Sequence, residues 1–270
     1  MSLRQPFRRN RDAESDPSAP PPEPKANGIS GAVLKSAVER ALRVQQPLVN
    51  SYIAKVRHKK PGATPGEVLA ALEKQYLVAV GGTGAAAGGA ALIPGIGTAA
   101  SLATGAAEVV AVLDASVLYA LAAAEVHGLR MEEVERRRAL VLAVVLGEGG
   151  TQLMQRAVGG SKHWGRQLAD ALPLPKLGPI NQTLVRMFVK RFVARQGALM
   201  FGRALPFGAG AVIGAVGNVT IGRSVINSTH RAFGPPPERW PAAVAEETDP
   251  STLGPESLEG RARPDHQLPG

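Results

Sequence analysis

Residues 75–107 read QYLVAVGGTGAAAGGAALIPGIGTAASLATGAA, and this stretch decides how the chain folds. It contains no charged side chain and consists mostly of glycine and alanine. Pro94-Gly95 is a helix-breaking pair, which predicts two helical arms joined at that point. Small residues recur four positions apart along both arms, so they share one helix face and allow two backbones to approach closely. The stretch therefore predicts a Gly/Ala-rich helical hairpin.

A second stretch repeats this pattern further along the chain. Residues 204–222 are again free of charge, and Pro206-Phe207-Gly208 separates their arms. The two hairpins together predict an all-α fold, a helical bundle in which they pack against each other. Such packing is typical of membrane helices, but it also occurs inside soluble helical proteins, so both alternatives stay open here. The residues predicted to form the packing faces are Gly81, Gly84, Gly88, Gly97, Gly210, Gly214, Asn218 and Gly222.

Other local signals set the ends of the remaining helices. Thr64-Pro65-Gly66-Glu67 is a capping box with proline at the first helical position, which predicts a helix start. Gly128 predicts the end of the helix that follows the first hairpin break. Residues 173–179 begin and end with proline and are interpreted as a linker, followed by a long helix from Ile180 to Leu205.

Composition divides the chain into three parts. Residues 1–28 are rich in proline and poor in apolar side chains, which predicts a disordered N-terminal tail. Because a helix does not continue through Pro235-Pro236-Pro237, the ordered domain is predicted to cover residues 29–233. Residues 234–270 are then predicted to form a disordered, acidic, proline-rich C-terminal tail.

The charge of the chain is uneven and favours anionic partners. Residues 29–233 carry 23 Lys and Arg against 11 Asp and Glu, a net charge of +12, whereas residues 234–270 carry −4. A basic domain favours lipid headgroups or nucleic acid, although it is equally compatible with a solubilising surface. The chain has no cysteine, which fits a reducing compartment, and its basic N-terminus lacks the apolar stretch of a secretory signal. We therefore expect a cytoplasmic location or the cytoplasmic face of the cell membrane.

One helix has the pattern of a membrane-surface helix. From Val185 to Leu199, phenylalanine and aliphatic side chains share one arc of the helical wheel and cations occupy the other. Anionic lipid is the predicted partner of this helix, protein partners remain possible, and nucleic acid is disfavoured because no nucleic-acid-binding motif accompanies the cations. The alternative is an ordinary half-buried helix. The predicted membrane-contact residues are Arg186, Phe188, Lys190, Arg191 and Phe192.

No segment inserts into a membrane convincingly by itself. The strongly apolar side chains of residues 75–107 contribute only about −3 kcal/mol over two arms. The following apolar run, Val109–Leu121, contains Asp114, which costs about 2.5 to 3.5 kcal/mol on the same scale. Shallow or conditional association is therefore expected rather than several permanent spans.

The sequence offers no recognisable catalytic or metal-binding motif, and no cofactor is predicted. Glu108 and Asp114 stand out as acids on an apolar arm, where a buried carboxylate marks either a functional site or an interhelical polar contact. A soluble enzyme with these acids in an interhelical pocket is thus the alternative function. A less favoured one is dinucleotide binding at Gly82-x-Gly84-x-x-Ala87, which would need a strand before the glycines.

The two Gly/Ala-rich blocks, Gly84 to Gly128 and Leu205 to Asn218, resemble those of the bacterial EcsC family. The similarity extends over residues 35–233, although the first block has more alanine and fewer leucines than the family pattern. It implies a helical, membrane-linked protein and assigns no active-site residue. The predicted function is therefore a non-enzymatic scaffold or accessory factor at the cytoplasmic membrane face.

Overall fold

A computed structural model describes residue 36 and residues 38–43, 46–90, 98–203 and 209–249. These residues are predominantly helical and include no strand, so the predicted all-α fold is confirmed. From residue 46 onward, the helices are α1 (Gln46–Lys59), α2 (Pro65–Ala90), α3 (Thr98–Val126), α4 (Val134–Val145), α5 (Glu148–Ala157), α6 (Trp164–Asp170), α7 (Leu174–Arg203), α8 (Ala209–Phe233) and α9 (Ala242–Glu247).

The ends of α2 and α3 follow the predicted signals. At the start of α2, the Glu67 carboxylate accepts a hydrogen bond from the backbone N–H of Thr64 at 3.0 Å, and the Thr64 hydroxyl accepts one from the N–H of Glu67 at 3.3 Å. Helix α3 ends at Val126, and Gly128 two residues later has a φ of +72°, a left-handed conformation that glycine adopts without strain. Both predictions are confirmed.

The centre of the bundle is formed by α2, which packs against α3 and α8. It runs antiparallel to α8, because Leu77 faces Gly222 whereas Thr83, further along α2, faces Asn218. A Cβ atom added to Gly222 would lie 2.9 Å from Cδ2 of Leu77, and one added to Gly81 would lie 3.0 Å from a methyl group of Val219. The absence of these side chains therefore permits the close approach of the two helices.

A second layer, formed by α4 and α7, covers the other side of α8. Residues 139–144 of α4 are all buried, which explains their uninterrupted apolar sequence. The predicted linker at residues 173–179 is wrong, because α7 begins at Leu174 and includes Pro179. Proline close to a helix start removes few backbone hydrogen bonds, and the full burial of Leu177 and Leu184 holds this first part of α7 in place.

The predicted end of the ordered domain at residue 233 is also wrong. After the three prolines, the indole N–H of Trp240 donates a hydrogen bond to the carbonyl of Ala63 at 3.0 Å. Helix α9 then buries Val244, and Thr248 directly after it is fully buried. The proline run therefore ends a helix without ending the packed domain, which continues at least to residue 249. Residues 1–28 and 250–270 lie outside the described residues, so the tail predictions there stay predictions.

Candidate functional site

Three helices meet in a polar layer at the centre of the predicted packing face. The side-chain amide of Asn218 on α8 donates a hydrogen bond to the Glu108 carboxylate on α3 at 3.0 Å and contacts the Thr83 hydroxyl on α2 at 3.4 Å. Asn218 is buried, and the Thr83 hydroxyl also donates to the carbonyl of Val80. Thr83, Glu108 and Asn218, which we call the polar layer, therefore join both hairpins through side chains.

Three charge-free helix segments lie on the same side of the polar layer. They are residues 84–90 of α2, 98–107 of α3 and 209–217 of α8, and each is helical. At a rise of 1.5 Å per residue, they extend about 10 to 15 Å from the layer. We call these segments the apolar end of the bundle. Gly84, at its base, is buried.

Several predicted packing residues lie beyond what the structure describes. Gly97 lies outside the described residues. Gly88, Gly210 and Gly214 belong to the helices of the apolar end, but the structure does not describe what surrounds them.

Cations lie near the base of the apolar end. Lys190 and Arg191 on α7 and Arg223 on α8 are exposed. The Arg191 guanidinium donates a hydrogen bond to the carbonyl of Leu146 at 2.5 Å, which fixes its position at the C-terminal end of α4. Helix α7 contains no acidic residue, so no carboxylate on the same helix neutralises its cations.

The predicted membrane face of α7 requires a correction. Phe188 is 7% exposed and belongs to the core, beside the fully buried Leu184. It is therefore not available to contact a membrane in this fold. Arg186 is exposed on the solvent side and donates a hydrogen bond to Thr183, whereas the Phe192 side chain lies outside the described part. The amphipathic pattern of α7 thus describes a half-buried helix with a basic outer face.

The two acids singled out by the sequence point to different neighbours. Glu108 faces α8 through Asn218, whereas Asp114 lies near Arg40, which precedes α1. Burial raises the pKa of Asp114 above its usual value, and Arg40 partly opposes this effect. The structure therefore does not bring the two carboxylates together into one site.

Helix α3 contains the one segment of the described residues that is long and apolar enough to cross a membrane. This segment, Ala107–Val126, is 61% buried within the bundle. Such burial is typical of a core helix in a soluble fold. The segment therefore supports no span on its own.

Polar contacts that the sequence did not reveal lie further from the apolar end. The rings of Tyr76 and Tyr119 stack at 4.8 Å between centroids, and the hydroxyls of Tyr76 and Ser116 lie 2.8 Å apart. Burial raises the pKa of Tyr76 to about 12. His230 on α8 lies 2.6 Å from the carboxylate of Glu73 on α2, and this hydrogen bond raises the pKa of the imidazole. These contacts join the same three helices as the polar layer.

A further cluster holds the C-terminal segment on the bundle. Arg130 lies between the buried Glu125, at 3.4 Å, and Glu247 of α9, at 2.6 Å. Gln46 donates a hydrogen bond to Glu125 at 2.7 Å, and Asn50 donates one to Glu247 at 2.9 Å. From the sequence, Glu125 is expected to lie on the surface of an apolar helix. The only sequence signal of its ion pair is Arg130, five positions later.

Among the described residues, the geometry supports neither a metal site nor a dinucleotide-binding turn. Within the described ranges, no three His, Asp or Glu side chains form a group that could hold a metal ion. The stretch Gly82-x-Gly84-x-x-Ala87 lies inside the continuous helix α2 rather than in a turn after a strand.

No family model, curated protein or solved structure matches this chain.

Proposed function

We propose that the protein is a non-enzymatic scaffold or accessory factor that associates with the cytoplasmic face of a membrane through the apolar end of its bundle. The observation that carries this proposal is the position of the charge-free segments. Those of α2, α3 and α8 all lie on one side of the polar layer, whereas the charged residues Glu73 and His230 lie on the other. The uncharged ends of these three helices therefore point in the same direction.

The depth of insertion follows from the helix lengths. The apolar end extends about 10 to 15 Å, whereas the hydrocarbon core of a bilayer is about 30 Å thick. It therefore reaches the headgroup region and the outer part of the hydrocarbon without crossing the bilayer. Glu108 sets the limit, because a carboxylate drawn into hydrocarbon loses its hydration.

Cations near the base of the apolar end favour anionic lipid. Lys190, Arg191 and Arg223 are exposed close to the level at which headgroups would lie, and each cation near an anionic surface contributes about 1 kcal/mol. Arg186 lies about one turn further from the apolar end on α7. Membrane contact thus combines the uncharged ends with basic side chains, and the buried Phe188 has no part in it.

Vesicle flotation tests the proposal. The protein is mixed with neutral vesicles or with vesicles that contain anionic lipid, at low and high salt. We expect stronger flotation with anionic lipid and a loss at high salt, because salt screens exposed charges. Ile93→Glu combined with Ile96→Glu, within the charge-free stretch of the sequence, should abolish flotation. Leu48→Glu is the matched control, because Leu48 is 53% exposed on α1 at the opposite end.

The basic face is tested in the same assay. Arg186→Glu with Lys190→Glu should weaken binding to anionic vesicles while leaving the helical circular dichroism spectrum unchanged, since both side chains are exposed. The proposal would be overturned if flotation depended neither on lipid charge nor on salt concentration and were unchanged by both sets of substitutions. The resemblance to the EcsC family implies a membrane-linked protein, which agrees with this proposal. The proposal also includes binding of a protein partner.

A further inference from the structure

A cavity of about 430 Å³ lies where the loop before α6 meets the chain after α8. Polar and basic side chains of that loop and of α6 form one wall, and Phe233 with the following prolines forms the other. We call this cavity the His163 pocket. Its polar wall consists of Ser161, Lys162, His163, Arg166 and Gln167.

The His163 pocket is positively charged. Lys162 and Arg166 are exposed, and neither has an acidic partner among the residues the structure describes. No aspartate or glutamate lines the pocket. Burial, with a smaller contribution from Arg166, lowers the pKa of His127 at the pocket edge. An anion would therefore enter a site that already holds two uncompensated cations.

Two polar atoms on residues that line the pocket are buried without a partner. Nδ1 of His163 and the side-chain amide oxygen of Gln167 have no hydrogen-bond partner among the described residues. Buried polar atoms are ordinarily paired, because an unpaired one has lost its hydration without gaining a hydrogen bond in return. An imidazole N–H and an amide N–H, the latter after a rotation that exchanges the amide oxygen and nitrogen, both donate to an anion. These groups therefore fit an oxyanion with several acceptor oxygens.

We propose that the His163 pocket binds a phosphate group, either as free phosphate or as the monoester of a small soluble metabolite. Lys162 and Arg166 provide the charge, and His163 and Gln167 provide donors, whereas the Ser161 hydroxyl already donates to the carbonyl of His163 at 3.3 Å. Charge-assisted bonds from guanidinium and ammonium groups to phosphate are among the strongest hydrogen bonds in proteins. The volume of the pocket leaves room for more than a bare phosphate, and its proline and phenylalanine wall suits an apolar or planar portion.

The location of the pocket favours a soluble ligand over a lipid. His127, at the pocket edge, follows Glu108 by 19 residues along α3 and its end, which corresponds to about 28 Å. The pocket thus lies at the end of the bundle opposite the apolar end. A lipid headgroup in the membrane proposed above would not reach it, so phosphate binding does not depend on membrane association.

Isothermal titration calorimetry with the full chain tests the inference. The probes are inorganic phosphate, glucose 6-phosphate and a short-chain phosphatidic acid below its micelle concentration, with glucose as the uncharged control. We expect saturable binding of the two soluble phosphates and none of glucose. Lys162→Gln with Arg166→Gln should weaken phosphate binding about tenfold or more. Lys55→Gln with Lys59→Gln removes the same charge from the exposed face of α1 and should leave binding unchanged.

Three outcomes would overturn the inference. They are the absence of heat with both soluble phosphates at millimolar concentration, equal weakening by the two double variants, and binding of phosphatidic acid alone. His163→Phe adds a second test, because it keeps a ring against Gly234 but removes both imidazole nitrogens. This variant should retain the thermal stability of the wild type and lose phosphate affinity.

Discussion

Replacement of Arg130 by glutamine should destabilise the protein, because it leaves the buried carboxylate of Glu125 without its counter-charge. The side chain of Glu125 is only 2% exposed, and Arg130 lies 3.4 Å from it. Removal of one member of a buried ion pair costs about 3 to 5 kcal/mol. Two features reduce this value here: the Arg130 side chain is 34% exposed, and Gln46 continues to donate to Glu125. We expect a loss of about 2 kcal/mol at pH 7 in the free energy of unfolding.

The effect should depend on pH. Burial raises the pKa of Glu125, and Arg130 opposes this shift, so Arg130→Gln raises the pKa further. A carboxyl group with a raised pKa in the folded state holds its proton to a higher pH than in the unfolded chain, where it titrates at about 4.3. Its contribution to stability is therefore largest below that pH and is lost as pH rises through the folded pKa. The variant should lose more stability than the wild type between pH 4 and 7.

Urea unfolding monitored by tryptophan fluorescence measures these effects, because Trp164 is fully buried and Trp240 packs at the C-terminal segment. Glu247→Gln is the control: Glu247 is 39% exposed, so the loss should be at most about 1 kcal/mol. In the Arg130→Gln background, Glu125→Gln should restore most of the stability, because an amide needs no counter-charge. Equal losses for Arg130→Gln and Glu247→Gln, or no rescue, would refute the reasoning.

Three further predictions concern packing and the C-terminal segment. Gly150→Ala should cost about 3 kcal/mol in urea unfolding, because its Cβ would lie 2.7 Å from a backbone Cα of α4, where no side-chain rotation relieves the clash. Asn218→Asp should lower the thermal midpoint at pH 7 and recover near pH 4, where protonation relieves repulsion from Glu108; Asn218→Ala should show no such recovery. Trp240→Ala should make residues 235–249 sensitive to limited proteolysis, because it removes the hydrogen bond to the carbonyl of Ala63 and the ring under Arg57; a resistant segment would contradict its docking role.

Local signals in the sequence predicted local structure well. The capping box at Thr64 and the glycine at position 128 each act through their own backbone hydrogen bonds, so neighbours along the chain determine them. The four-residue spacing of Gly81 and the pattern around Gly222 likewise predicted a close helix contact. The contact between Glu108 and Asn218 was harder to predict from the sequence, because residues 110 positions apart share no local periodic pattern.

Two interpretations failed because one sequence pattern fits two environments. A helix with an apolar arc and a basic arc suits a headgroup layer or a protein core equally, and only the contacts of Phe188 identify the core. Proline-rich composition suggested that the chain after residue 233 is disordered. Trp240, and Val244 with Thr248 four positions later, were the available signals of a docked segment, because an indole and one helix face of this kind bury well.

The central proposal, shallow insertion of the apolar end, can be tested at one position because the chain has no cysteine. A single cysteine at Gly95 or, as a control, at Lys59 at the end of α1, is labelled with an environment-sensitive fluorophore. Fluorescence is recorded with anionic vesicles that carry a lipid-bound quencher at a shallow depth. The proposal predicts a blue shift and quenching at position 95, with no change at position 59. A label at position 95 that stays in water while the protein floats with the vesicles, or protection at position 59 instead, would contradict it.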